Sequence, residues 1–132
     1  RDLIIQTLML INTNQNDDFT SFRTNDMDAF VIDHSDIALA KIDTLKAALT
    51  SLDKAFEEEI KVPVTSIPMV LYGAYRITKD KKSFSAFVEK VKEFLNGYDS
   101  NEVYKQFVQS GTGSKENVRG RFDYWREIVR NI

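Results

Sequence analysis

Apolar residues recur at helical spacing along most of this chain, and that period constrains its fold more than any other feature. The clearest run repeats at intervals of three and four residues: Ile42, Leu45, Leu49, Leu52 and Phe56. Such a stripe is typical of an amphipathic helix with one face against a core. Only two prolines and five glycines interrupt the 132 residues. The sequence therefore predicts an all-α protein.

The first half of the chain contains signals for three helices. Leu3–Ile11 is apolar on nearly every side, which predicts a central buried helix, although a buried strand would show the same pattern. Asn25 is expected to cap a short second helix. Ser35 begins a third helix of about 24 residues, which ends near Lys61 because Pro63 cannot continue it.

The second half contains signals for four more elements. Ser66 and Pro68 mark the start of one helix, because proline suits a first helical turn. Ser83 begins the next helix, and Gly97 stops it. Asp99 and Glu102 are spaced as a capping box before a short helix, and Ser114 caps the last helix. We expect one domain over residues 1–132, an irregular bundle of six or seven helices.

The residue types that are scarce exclude several functions. The chain has no cysteine, which excludes disulfides, a thiol nucleophile and thiolate zinc sites, and its one histidine excludes two-histidine metal motifs. No apolar run approaches the ~20 residues of a transmembrane helix, and no signal peptide is visible, so we expect a cytoplasmic protein. The carboxylates lie at predicted caps and solvated faces. We therefore expect no catalytic site, cofactor or metal, and the start at Arg1 suggests a piece of a longer protein.

The net charge of −2 hides an acidic segment over residues 14–36. Six aspartates face one arginine there: Asp17, Asp18, Asp26, Asp28, Asp33 and Asp36. His34 lies among them, so a divalent cation is one candidate ligand. The run lacks the glycine and the final glutamate of an EF-hand loop, and capping aspartates in a surface loop are the preferred interpretation.

Two basic segments are candidate nucleic-acid contacts. The first contains Arg76, Lys79, Lys81 and Lys82, one turn after Tyr72 and Tyr75. Cations beside aromatic rings suit nucleic acid, but a solubilising loop would look the same. The second is a stripe on the last helix: Lys115, Arg119, Arg126 and Arg130. Acidic residues at i,i+3 and i,i+4 accompany this stripe, which favours an internally paired, solvated face.

The glycine-rich turn over residues 111–115 resembles a phosphate-binding loop only superficially. Its lysine follows Ser114 and not Gly113, and no strand precedes it, so the sequence does not favour a nucleoside-triphosphate site. The free N–H groups of the next helix still make Gly113, Ser114 and Lys115 a candidate anion site. The preferred alternative is a helix stop, a turn and a serine cap.

Two segments resemble a known family. Residues 1–9 are similar to the helix that follows the catalytic part of ParB-superfamily proteins in GmrSD-type modification-dependent restriction systems, and residues 110–122 resemble that family's C-terminal pattern. The resemblance covers nearly the whole chain as the family's helical region. It implies nucleotide-dependent DNA cleavage in an upstream ParB-like domain, so no catalytic residue is carried over. Thr112 and Arg121 match the pattern as positions without an assigned role.

These observations lead to one preferred function and two alternatives. We expect a non-catalytic helical domain of a larger phage-defence or restriction protein, serving assembly, regulation or DNA contact. Its partners would then be the upstream domain and DNA, with no membrane and no metal. The alternatives are a stand-alone nucleic-acid-binding module and a protein-interaction module, whose apolar surface we expect on the first helix. An enzyme acting alone is the least supported class.

Overall fold

The structure, a computed structural model, describes residues 2–13, 21–56 and 58–132. These residues contain seven α-helices and no strand: α1 (Asp2–Asn12), α2 (Thr24–Asp33), α3 (Leu39–Ala55), α4 (Ile67–Lys79), α5 (Phe84–Asn96), α6 (Glu102–Lys105) and α7 (Lys115–Arg130). Short 3-10 helices precede α4 and α6, at Val64–Ser66 and Tyr98–Ser100. The prediction of an irregular all-α bundle is confirmed, and the strand alternative for the first segment is wrong.

Helix α4 is the centre of the bundle. It packs against α1, α3, α5 and α7 and buries residues on most of its circumference. Gly73 lets α5 approach closely, because a Cβ there would lie 2.6 Å from the ring of Phe87. The prediction that α1 is the central buried helix is wrong. Helix α1 lies against α2 and α4, and it leaves Ile4 45% exposed.

Helix α3 is shorter at both ends than the sequence suggested. It contains 17 residues, and Ala38 at its N-cap provides no side-chain hydrogen bond. Ser35 and Asp36 belong to the turn before it and do not begin the helix. At the other end, Phe56 is already extended. The acidic residues Glu58 and Glu59 explain this end, since negative charge is unfavourable at the C-terminus of a helix. Their neighbour Glu57 lies outside the described residues.

The predicted caps are correct for two helices and wrong for two others. Ser83 accepts a hydrogen bond from the Ala86 N–H, and Ser114 accepts one from the Asn117 N–H. Asn25, in contrast, lies inside α2. The short α6 is capped by Asn101, whose side chain accepts from the Tyr104 N–H at 3.1 Å. The expected Asp99–Glu102 capping box is therefore wrong, because the amide of Asn101 already occupies the position that Asp99 would take.

Helix α7 supplies the aromatic part of the core. Trp125 is fully buried and meets the ring of Phe94 edge to face, with the centroids 4.9 Å apart. Phe94 meets Tyr104 in the same way at 4.8 Å. The hydroxyl of Tyr104 is 2.7 Å from the Ser66 hydroxyl. These contacts join α7, α5 and α6 to one another and to the 3-10 helix before α4.

One arginine of α7 is buried and fastens the preceding loop. Arg121 is 2% exposed. Its guanidinium donates hydrogen bonds to the backbone oxygens of Phe107 at 2.6 Å and Thr112 at 2.9 Å. Burial lowers the pKa of this guanidinium. The two positions that the family resemblance singled out, Thr112 and Arg121, therefore contact each other, and their contact holds the loop between α6 and α7.

Candidate functional site

A cleft of about 520 Å³ lies between α4 and the end of α7, and we call it the basic cleft. Four cationic side chains and one carboxylate line it, together with three uncharged residues: Arg76, Lys82, Arg126, Arg130, Asp80, Thr13, Tyr72 and Val129. The cleft therefore combines cations from both basic segments of the sequence. Its charge favours an anionic ligand.

Helical geometry explains why these side chains converge. Tyr72, Arg76 and Asp80 are spaced by four residues, which places them on one face of α4 and its C-cap. Arg126 and Arg130 have the same spacing on the last turns of α7. Because α4 and α7 pack together, these two faces form the opposite walls of the cleft.

Lys82 reaches the cleft through the turn that ends α4. The N–H groups of Lys81 and Lys82 donate to the carbonyls of Thr78 and Ile77, which is a Schellman motif. This motif requires a left-handed residue, and Lys81 takes that place with a φ of 54°. The Lys82 ammonium then donates to the Val129 carbonyl at 3.1 Å. The turn thus links the end of α4 to the end of α7.

Each arginine of the cleft holds a carboxylate of its own helix. Arg76 contacts both oxygens of Asp80, at 3.1 and 3.4 Å. Arg126 lies 3.5 Å from Asp123, and Arg130 lies 3.0 Å from Glu127. Asp123 and Glu127 do not line the cleft. These pairs orient the guanidinium groups without bringing further negative charge into the cleft.

Aromatic rings support the cleft from within. The Arg126 guanidinium carbon lies 4.2 Å from the centre of the Phe122 ring, in a cation–π contact. Tyr72 meets the same ring edge to face at 4.7 Å. Burial raises the pKa of the Tyr72 hydroxyl, and the positive charges of Arg76 and Arg126 oppose that increase. Tyr72 therefore offers a neutral hydroxyl beside two guanidinium groups.

This arrangement suits a phosphate or phosphodiester group. Guanidinium groups bind phosphate oxygens through pairs of parallel hydrogen bonds, and an ammonium adds a compact positive charge. The side chains of Arg76 and Arg126 are 33% and 21% exposed, so their charges are partly shielded from solvent. Partial shielding strengthens their attraction for an anion.

The structure separates the eight residues of the two basic segments that the sequence suggested as nucleic-acid contacts. Arg76 and Lys82 line the cleft, whereas Lys79 and Lys81 are exposed beside it. Lys115 lies eleven residues before Arg126 on α7, which is about 16 Å along the helix axis. Arg119 pairs with Asp123 at 3.9 Å. From the second segment only Arg126 and Arg130 line the cleft, although a paired, solvated face was the preferred interpretation of that stripe.

The candidate anion site at Gly113, Ser114 and Lys115 serves structural contacts. The Gly113 carbonyl accepts from the Phe22 N–H at 3.0 Å, and the Ser114 N–H donates to the Gly111 carbonyl at 2.9 Å. The Ser114 hydroxyl caps α7, and Lys115 is exposed. These contacts support the preferred interpretation, a turn followed by a serine cap. The anion site stays a prediction.

The acidic segment holds ordinary structural contacts where it is described. Asp26 accepts a hydrogen bond from the Ser21 hydroxyl, and the His34 ring stacks on Phe30 at 4.4 Å. Asp17 and Asp18 lie outside the described residues. Within residues 2–13, 21–56 and 58–132, no three acidic or histidine side chains come together as metal ligands.

None of the helices in this part of the chain is both long and apolar enough to cross a membrane.

No protein-family model, curated protein or solved structure matches this chain. The resemblance to the GmrSD-type restriction proteins therefore stays a prediction.

Proposed function

We propose that this chain is a non-catalytic helical domain of a larger protein and that its basic cleft contacts the phosphate backbone of DNA. The observation that carries the proposal is the convergence of four cations from α4, its C-terminal turn and α7 in one cleft with a single carboxylate. The resemblance of residues 1–9 and 110–122 suggests that the larger protein is a restriction protein.

The local charge at the cleft matters more than the charge of the whole chain. The net charge is −2, which is unusual for a dedicated DNA-binding domain. The cleft, however, lies beside the exposed cations Lys79 and Lys81, which extend its positive field. A domain with one such surface would position DNA for chemistry performed elsewhere in the larger protein, because phosphate contacts position and do not specify sequence.

A fluorescently labelled DNA duplex provides the test, with anisotropy measured at low and moderate salt. We expect binding at low salt that weakens steeply as salt rises, because phosphate contacts release counterions. The double variant Arg76→Gln/Arg130→Gln should bind less tightly and lower the salt slope by about two, since each lost phosphate contact lowers it by about one.

The matched control is Lys46→Gln/Lys115→Gln, which removes the same charge from two exposed positions that do not line the cleft. We expect this control to keep nearly the full salt slope. Equal losses in both double variants would contradict the cleft and favour a diffuse basic surface. Absence of binding at low salt would refute DNA contact altogether.

The proposed context has a separate test in the gene. The open reading frame upstream of Arg1 should encode a ParB-like region if the family resemblance is correct. A different upstream domain would refute the restriction context and leave the DNA measurement unaffected.

A further inference from the structure

A second concave surface lies at the end of α3, where the chain turns towards α4. Its volume is about 540 Å³. The floor is apolar and is formed by Leu49, Leu52, Phe56, Ile60 and Val62. The rim is formed by the carboxylates of Asp53, Glu58 and Glu59. We call this surface the acidic groove.

We propose that the acidic groove binds an amphipathic helix of a partner protein, with apolar residues on one face and lysine or arginine beside them. Such a partner would match both features of the groove. Its apolar residues would cover the floor, and its cations would meet the rim. The proposal is independent of DNA binding at the basic cleft, since it uses different residues.

The rim charges are available to a partner. Asp53, Glu58 and Glu59 are exposed, and none of them forms an ion pair with another described residue. No cation of the described residues lines the groove, although Lys54 and Lys61 lie next to it in the sequence. A surface with three carboxylates and no lining cation attracts a basic partner and repels nucleic acid.

The shape of the floor favours a helix. Leu49 and Leu52 lie three residues apart on one face of α3, Phe56 follows at the C-cap, and all three side chains are only half-buried. An apolar helix face can pack against another helix, because the side chains of each helix fit into the spaces between those of the other. The exposed side chain of Ile60, at 37%, adds apolar area beside this face.

A second copy of this chain does not offer a suitable occupant. Its most basic surface, around Arg76 and Arg126, is itself concave and cannot enter a groove. The outer faces of its helices carry acidic and basic residues in pairs, such as Lys90 with Glu93 and Arg119 with Asp123. The partner is therefore a basic helix from elsewhere.

The test uses a labelled synthetic peptide as the probe. The peptide contains only leucine and lysine, with leucine at positions i, i+3, i+4 and i+7, so that it forms a basic amphipathic helix. A peptide of equal composition with alternating leucine and lysine, which favours an extended chain, is the control for shape. We expect the helical peptide to bind more tightly and to perturb the NMR signals of Leu52 and Ile60.

Matched protein variants locate the binding site. Asp53→Lys should weaken binding of the helical peptide about fivefold, because an attraction at the rim becomes a repulsion. Asp43→Lys reverses the same charge on the same helix, about 15 Å away along the axis, and should leave binding unchanged. Ile60→Ser should also weaken binding, whereas Ile4→Ser, which changes an isoleucine of similar exposure (45% against 37%) outside the groove, should not.

Three results would overturn the proposal. Equal weakening by Asp53→Lys and Asp43→Lys would show attraction to general negative charge. Tighter binding of the alternating peptide would show that the groove takes an extended chain. Self-association of the wild-type chain in sedimentation experiments, abolished by Asp53→Lys, would show that a second copy occupies the groove.

Discussion

The buried guanidinium of Arg121 should stabilise the protein through two hydrogen bonds, and its removal measures how much they contribute. The Phe107 and Thr112 carbonyls accept these bonds at 2.6 and 2.9 Å. A bond from a charged donor contributes about 1.5–3 kcal/mol, so two contribute about 3–6 kcal/mol. The buried Nε of the same guanidinium has no hydrogen-bond partner among the described residues, which opposes this by about 1–3 kcal/mol. We expect Arg121→Met, which keeps most of the packing, to lower the free energy of unfolding by about 2 kcal/mol.

Urea denaturation at neutral pH measures that loss, with Arg119→Met as the control. Arg119 is partly exposed, so its replacement should cost no more than about 0.5 kcal/mol. Arg121→Lys should not restore stability, because an ammonium lacks the planar fork and is more strongly hydrated. Hydrogen exchange gives a local measurement, since the Phe22 N–H is bonded to Gly113 in the same loop. A Met variant as stable as the wild type, with unchanged exchange at Phe22, would refute the reasoning.

Three further predictions concern stability. Gly120→Ala should destabilise the protein by about 1 kcal/mol, because the new Cβ would lie 2.2 Å from the Phe107 ring. This cost exceeds the gain from alanine's higher helix propensity. A variant that is more stable than the wild type in thermal unfolding would show that the ring moves aside at little cost. Lys81→Gly should stabilise the protein by about 0.5 kcal/mol in urea denaturation. Lys81 holds a left-handed φ of 54°, which costs a residue with a Cβ more than it costs glycine. Lower stability of the variant would show that the Lys81 side chain has a structural role. Burial raises the pKa of Tyr104 to about 12 from 10, so its contribution to stability is complete below pH 10 and is lost as the pH rises towards 12. In denaturation series from pH 9 to 12, Tyr104→Phe should lose about 2 kcal/mol less of its free energy of unfolding than the wild type. An equal loss in the variant would show that ionisation of Tyr104 is not the cause.

The sequence predicted the local structure well and the arrangement of helices less well. Ser83 and Ser114 were identified as caps because capping depends on a few neighbouring residues. The central position of α4 was missed, because hydrophobicity does not show which apolar helix lies in the middle. The central position depends on contacts between separate segments, such as the one that Gly73 allows with Phe87, fourteen positions further along the chain.

The candidate site was predicted only in part because it depends on contacts between distant segments. Arg76 and Lys82 were recognised from their local charge. Their proximity to Arg126 and Arg130 follows from the packing of α4 against α7, some fifty residues apart. Helical spacing correctly predicted the ion pairs of Arg126 and Arg130, but it could not predict that α4 packs beside them.

Ion pairing and phosphate binding are not alternatives for Arg126 and Arg130, although the sequence pattern suggested a choice between them. A guanidinium has five N–H donors, and the contacts with Asp123 and Glu127 use only some of them. Exposed helical pairs of this kind contribute only about 0.3–0.5 kcal/mol each. Because each pair contributes so little, a phosphate that accepts hydrogen bonds from both guanidinium groups can replace a carboxylate at small cost. The pairs therefore hold the arginines in place at the mouth of the cleft, and they are compatible with the proposed phosphate contact.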